Sequence, residues 1–233
     1  INYNDGVVAQ ALVQGIDGDA AAPALLTITE IDPYDYGTQA IGSFTPYTFT
    51  VQNTGGVDAT LMAGSGLTSP DFRWETTDVY PGASGNCGTP LAPGATCTVV
   101  VEFGPNSTGL LNDTITVDYN NGVIATSVSR DVIGTGANPA ILTISDAPFY
   151  SFGSVASNSL TTHIFTITNA AGSVDATSIT EVAFAIPEYD FAGGVFPGTA
   201  GNCVSGGSLL PGTSCDVEVE FTPAVNGSYN STL

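Results

Sequence analysis

Thr114-Ile115-Thr116-Val117-Asp118-Tyr119-Asn120-Asn121-Gly122-Val123 leads directly into the alternating stretch 124–129. Two β-branched runs, 114–119 and 123–129, flank an Asn-Gly pair. Both members of such a pair tolerate positive φ, and alternation with period two buries one face of a strand, so the stretch predicts a hairpin. The signal returns at the start of the chain as Tyr3-Asn4-Asp5-Gly6-Val7. Tyr3 and Tyr119 lie 116 positions apart, and the same interval relates Leu26-Thr27-Ile28 to Leu142-Thr143-Ile144, Phe49 to Phe165, and Gly85-Asn86-Cys87 to Gly201-Asn202-Cys203. A period this long marks an array of whole domains, because short solenoid units repeat every 20–50 residues.

Further strand signals fall at 47–52, 98–103, 163–168 and 216–221, separated by turn-rich stretches such as Asn53-Thr54-Gly55-Gly56, Pro93-Gly94, Pro211-Gly212 and Asn226-Gly227. No window sustains an amphipathic helix. About seven short strands per period read as an immunoglobulin-like sandwich, so the fold class is all-β, with tandem seven-stranded sandwiches in an extended array. The repeat sets the expected boundaries. Residues 1–19 are the final hairpin strands of a preceding or neighbouring domain, 23–136 form the first domain, and 139–233 form a second that lacks its last strands. Asn230-Ser231-Thr232-Leu233 matches the start of the stretch at Asn112, and its continuation resembles Ile1-Asn2-Tyr3-Asn4 with about one residue missing. The linkers 18–23 and 134–139 are short and end in Pro23 and Pro139, which favours a semi-rigid rod.

Composition removes several function classes. Asp and Glu number 22 against two basic residues, Arg73 and Arg130, for a net charge of -20. That field repels phosphates and anionic headgroups, which argues against nucleic acid and membrane surfaces as partners. No run approaches the 18 or so apolar residues of a membrane span, so no direct membrane insertion is expected from this segment. The absence of lysine rules out intramolecular isopeptide cross-links. The four cysteines fall one pair per copy, Cys87 with Cys97 and Cys203 with Cys215, which favours intradomain disulfides in an oxidising compartment. Zinc is the alternative, but neither pair has knuckle spacing and the chain has one histidine.

The order of motifs resembles a known family. A strand ending in Tyr36-Gly37 or Phe152-Gly153 is followed by Phe49-Thr50-Val51-Gln52-Asn53 or Phe165-Thr166-Ile167-Thr168-Asn169. Then come Asp71-Phe72 or Asp190-Phe191, the first cysteine, Leu91-Ala92-Pro93-Gly94-Ala95-Thr96-Cys97 or Leu209-Leu210-Pro211-Gly212-Thr213-Ser214-Cys215, and Val101-Glu102-Phe103 or Val219-Glu220-Phe221. This pattern is similar to the Ig-like repeat of bacterial "choice-of-anchor D" surface proteins and to the bacterial relatives of the Hydin-type domain. The resemblance covers essentially the whole chain and implies export and a place in long bacterial surface or extracellular proteins. It implies no ligand.

The expected function is therefore a structural module of an extracellular fibre, sheath or cell-surface adhesin, with copies of itself, head to tail, as partners. Those copies are either covalent repeats or strand-exchanged subunits. In the second case residues 1–19 complete the second domain of a neighbour by donor-strand complementation, with Ile1, Tyr3, Val7, Val8 and Leu233 at the junction. An enzyme is not expected. His163, the one histidine, takes the place of Tyr47, so no Ser-His-Asp arrangement recurs in both copies. No cofactor is expected. Calcium is the one candidate, through Asp17, Asp19, Glu30, Asp32 and Asp35 at the first junction, against the plainer reading of a solvated acidic turn. Arg73 and Trp74 are the candidate glycan or protein contact of an adhesin module, against simple packing of the loop on its own sandwich.

Overall fold

A computed structural model describes residues 1–233, and it holds sixteen strands and no helix. The first two, β1 (Asn2–Asn4) and β2 (Ala9–Ala11), form a hairpin that pairs only with itself. Residues 12–25 carry no regular structure.

Eight strands then follow: β3 (Leu26–Ile28), β4 (Tyr34–Ala40), β5 (Thr45–Asn53), β6 (Thr60–Ser65), β7 (Phe72–Trp74), β8 (Thr96–Phe103), β9 (Gly109–Asn120) and β10 (Ala125–Ala137). They make two four-stranded sheets, ordered β3-β5-β8-β7 and β4-β10-β9-β6. The short β7, paired antiparallel on the free edge of β8, brings the count to eight, one more than expected. The core between the sheets contains 19 buried residues, among them Phe49, Phe72, Val99, Val101, Phe103, Ile115, Val117 and Val132. They lie at alternate positions, each strand delivering one face inward, and β8 is buried on its other face too, through Val100 and Glu102. Polar side chains also cross the core. Leu26 N–H of β3 donates to Tyr119 Oη of β9 at 3.2 Å, and Tyr36 Oη of β4 donates to Val101 O of β8 at 2.7 Å.

Six strands follow: β11 (Leu142–Ile144), β12 (Thr161–Asn169), β13 (Ala176–Ile179), β14 (Tyr189–Phe191), β15 (Gly207–Leu209) and β16 (Ser214–Phe221). The order β11-β12-β16-β14 repeats the first sheet of the earlier half, and β13 pairs with β15. No counterpart of the β4-β10-β9-β6 sheet forms, and the core here has only five buried hydrophobic residues. The fold is all-β and immunoglobulin-like.

The hairpins differ from expectation in one detail. Register places Asn120 opposite Ala125, so four residues, not two, connect β9 to β10. Gly122 alone takes positive φ (91°), and Asn121 Oδ1 accepts the N–H groups of Val123 and Ile124, both at 2.9 Å. The Asn side chain therefore satisfies the loop amides locally, as Asn and Asp do in Asx turns. The β1–β2 loop is built identically. Asp5 Oδ1 accepts Val7 and Val8 N–H at 2.9 and 2.8 Å, and Gly6 has φ 98°.

Candidate functional site

In each half one strand, β8 or β16, is pinned by a disulfide to the loop before it. Cys87–Cys97 spans ten residues with Cα atoms 4.8 Å apart, and Cys203–Cys215 spans twelve with Cα atoms 4.9 Å apart. No free cysteine remains. Two buried amides recur beside them. Asn53 Nδ2 donates to Val57 O and Leu91 O, both at 2.9 Å, and Asn169 Nδ2 donates to Val174 O at 3.0 Å and Leu209 O at 2.9 Å. Both side chains are fully enclosed. The sequence presented these residues as turn formers. The signal that identifies them as core clamps is their identical place at the end of the same strand in both copies, three residues or fewer from a glycine.

The calcium candidates do not converge. Asp17 and Asp19 stand exposed in the irregular stretch before the first sandwich. Glu30 Oε1 accepts Thr50 N–H at 2.9 Å, and Asp35 Oδ1 accepts Gly37 N–H at 2.7 Å. Asp32 pairs with Arg130 Nη1 at 3.4 Å, and its Oδ1 accepts Asp131 N–H at 3.2 Å. Backbone amides and one guanidinium thus engage Glu30, Asp32 and Asp35 separately, and the chain gathers no group of three or more His, Cys, Asp or Glu residues fit to hold a metal ion.

Arg73 and Trp74 both pack on their own sandwich, the plainer of their two readings. Trp74 is 6 % exposed, and its ring meets Tyr80 edge-on at 5.3 Å between centroids. Gly64 opposite makes the room, since a Cβ there would lie 2.4 Å from Trp74 Cζ2. Arg73 turns back on its own sheet, with Nε donating to buried Glu102 and the guanidinium carbon 4.2 Å above the centre of the Phe44 ring. Trp74 is thus taken up by its own sandwich, while the Arg73 side chain stays 39 % exposed. His163 stacks on Tyr150 at 3.6 Å, as Tyr47 stacks on Tyr34 at 3.9 Å. Its Nε2 lies 3.1 Å from Asp146 Oδ2, and that hydrogen bond, with one from Ser145, lowers the carboxyl of Asp146 below its ordinary value.

A broad opening lies over the β11-β12-β16-β14 sheet. It has a volume of about 610 Å³ and is lined by Ile144, Phe152, Phe165, Val219, Phe221 and Leu233, among others. Its position is that of the absent second sheet. Leu26 is 2 % exposed where a second sheet covers it, whereas its counterpart Leu142 is 42 % exposed. Around the opening, segments that match strands of the first half run without strand structure: 150–156 matches β4 and 227–233 matches the first part of β9.

The free hairpin carries the complementary set. Tyr3, counterpart of buried Tyr119, is 53 % exposed, and Ile16, counterpart of enclosed Val132, is 94 % exposed. Ile1 and Leu12, which match Val117 and Val128, are exposed as well. Val7 and Val8, expected at the junction, instead sit in the loop, and their counterparts Val123 and Ile124 remain exposed even in the closed sandwich. Val7 and Val8 thus occupy loop positions, whereas Leu12 and Ile16 stand at the positions that match Val128 and Val132. Within this chain Ile1, Tyr3 and Leu233 complete no sandwich. The amine of Ile1 donates to Leu12 O at 2.9 Å.

No family model and no curated protein matches the chain. Among solved structures it is similar to a PapD-like domain of human CEP192, at 13 % identity and TM-score 0.34, over 55 % of this chain and 95 % of that one. It is also similar to the class 5 fimbriae chaperone CfaA, at 9 % identity and TM-score 0.30, over 88 % of each chain. A third likeness is to the secreted serine protease VesC of Vibrio cholerae, at 12 % identity and TM-score 0.35, covering 88 % of this chain and 48 % of that one. Likenesses this distant carry no functional argument. What the chain's own sheets establish is an all-β protein of immunoglobulin-like sandwich construction with two disulfides.

Proposed function

We propose that this chain is a structural module of a long extracellular fibre, sheath or cell-surface adhesin of the bacterial "choice-of-anchor D" type, setting length, spacing and stiffness without catalysis. The observation that carries this reading is the recurrence of one construction at an interval of 116 residues. The same four-strand sheet, the same buried Asn clamp and the same disulfide appear in both halves, and an Asx-looped hairpin opens the chain as another closes the first sandwich. Repetition of a unit with no gathered reactive groups suits a spacer, since each added copy adds reach and leaves the chemistry unchanged. Disulfide formation agrees with an oxidising, external location. The short linker Ala137-Asn138-Pro139, with Val174 N–H donating to Asn138 O at 2.8 Å, supports limited motion between units.

Small-angle X-ray scattering of the monomeric chain tests the reading. A rod-like profile, with a longest dimension about twice that of one sandwich and little interdomain flexibility, is the expected result. A compact particle or a freely jointed pair overturns it.

A further inference from the structure

We infer that Asn106, Asn112, Asn226 and Asn230 are acceptors for N-linked glycans, attached through the side-chain nitrogen. The inference goes beyond the structural-module reading and rests only on its placement of the chain outside the cell.

Each of the four opens an Asn-x-Ser/Thr triplet: Asn106-Ser107-Thr108, Asn112-Asp113-Thr114, Asn226-Gly227-Ser228 and Asn230-Ser231-Thr232. That triplet is the acceptor signal for N-glycosylation of exported proteins. No other asparagine of the chain opens one, and all four fall in the same part of the repeat, shortly after Phe103 or its counterpart Phe221. The Cys203–Cys215 loop is two residues longer than the Cys87–Cys97 loop, so the repeat interval is 118 from there on. On that interval Asn112 matches Asn230 and Thr114 matches Thr232, whereas Asn106 matches Ala224 and Asn226 matches Thr108. The loop triplet has thus moved by two residues and still reads Asn-x-Ser/Thr. A turn would hold its asparagine at one position; a transferase that reads a local triplet on the surface does not.

The geometry supports acceptance. Ile115, Val117 and Tyr119 of β9 face the core, so Leu110, Asn112 and Thr114 share the outward face. Asn112, Asn226 and Asn230 are exposed, and their side chains make no hydrogen bond within the chain. Other asparagines that recur between copies are occupied. Asn53 and Asn169 clamp carbonyls, Asn86 and Asn202 accept the N–H groups of Thr98 and Asp216, and Asn4 and Asn120 accept those of Gly6 and Gly122. Asn112 and Asn230 are the recurring pair left without a task inside the fold. Asn106 lies in the exposed β8–β9 loop, where its Nδ2 donates to Pro70 O at 3.2 Å. Glycosylation leaves one N–H on that nitrogen, enough to keep the bond. A sugar on Asn112 would lie over Leu110, which is 72 % exposed, and over Ile133, its cross-strand partner.

The donor is an oligosaccharide linked to a lipid phosphate. The Asn nitrogen attacks its anomeric carbon; a C–N bond forms as the C–O bond to phosphate breaks. The lipid phosphate leaves with the electron pair, and one amide proton is released to it.

The chain recovered from the surface of its own cells provides the test. Chymotryptic cleavage after Phe103, Leu111, Tyr119, Phe221 and Tyr229 separates the four asparagines. Mass spectrometry with electron-transfer fragmentation should place sugar masses on Asn106, Asn112, Asn226 and Asn230. Thr108→Ala and Thr114→Ala should erase the sugar at Asn106 and Asn112 respectively, while Thr108→Ser and Thr114→Ser, which keep the hydroxyl, should retain it. Bare peptides from both halves, sugars carried on Ser or Thr, or asparagine-linked sugar indifferent to the Thr→Ala changes overturns the inference. A rod-like chain with bare asparagines defeats this inference alone; a compact particle defeats the structural-module reading whatever the peptides carry.

Discussion

Asn53 and Asn169 are the residues on which the two halves depend most directly for their polar order. Each amide donates to two main-chain carbonyls inside the sandwich. Asn53→Ala leaves Val57 O and the N–H groups of Leu25 and Gly55 without their partner, while Leu91 O keeps Ala59 N–H, and each buried unsatisfied group costs about 1–3 kcal/mol. The expected loss is roughly 2–4 kcal/mol for the first half, read as a lower urea midpoint with Trp74, the one tryptophan, as reporter. Tyrosines make the same half sensitive to alkali. Burial raises the Tyr36 phenol far above its ordinary value and pushes Tyr80 up to about 12. A phenol whose folded value lies above its unfolded one contributes stability that is complete below pH 10 and is lost as pH climbs from there toward the folded value. The Trp74-reported urea midpoint should therefore fall between pH 10 and pH 12, and Tyr36→Phe with Tyr80→Phe should flatten that fall. The second half places Phe152 and Phe196 at these positions. It retains Tyr189 as a phenol raised by burial.

At the scale of elements, the period-two runs at 47–52, 98–103, 114–119, 163–168 and 216–221 are strands throughout, and 123–129 is strand from Ala125 on, because alternation survives translation into sheet faces with little help from tertiary context. Three features were not legible. The four-residue loop at Asn121-Gly122 depends on a side-chain oxygen accepting two amides, which the dipeptide alone does not distinguish from a two-residue turn. The burial of Trp74 depends on Gly64, ten residues earlier and in another sheet. Residues 150–156 carry the pattern of β4 yet stay strandless, since a parallel strand exists only when its partner lies beside it, and that partner is remote in sequence. The disulfides, in contrast, followed from spacing alone. Replacing Cys87 and Cys97 with Ser should lower stability by about 3 kcal/mol in the chain-entropy account of so short a loop. A urea midpoint unchanged by reduction of the native chain would contradict that account.

For the whole molecule, the contrast between a core of 19 buried residues and one of five is the fact that organises the rest. Apolar burial stabilises by about 25 cal/mol per Å², so the uncovered sheet forgoes much of what its covered counterpart gains. Thermal or urea unfolding in two steps is the expected consequence, the half spanning β11 to β16 first. The repeat made this asymmetry readable in principle, because matched positions such as Leu26 and Leu142 differ in sequence by nothing and in exposure by a great deal.

The scarcity of positive charge has a last consequence, for survival outside a cell. A trypsin-like protease cuts only beside Lys or Arg, and this chain offers two such bonds. Arg73 sits within β7, held by Glu102, and Arg130 sits within β10, its guanidinium donating to Ile28 O and paired with Asp32. A protease must take an extended segment out of its sheet before it can cleave, so neither bond is open to attack until the first sandwich comes apart. Trypsin should therefore leave the folded chain intact at both bonds, and cleavage at Arg73 or Arg130 would report unfolding of the first sandwich.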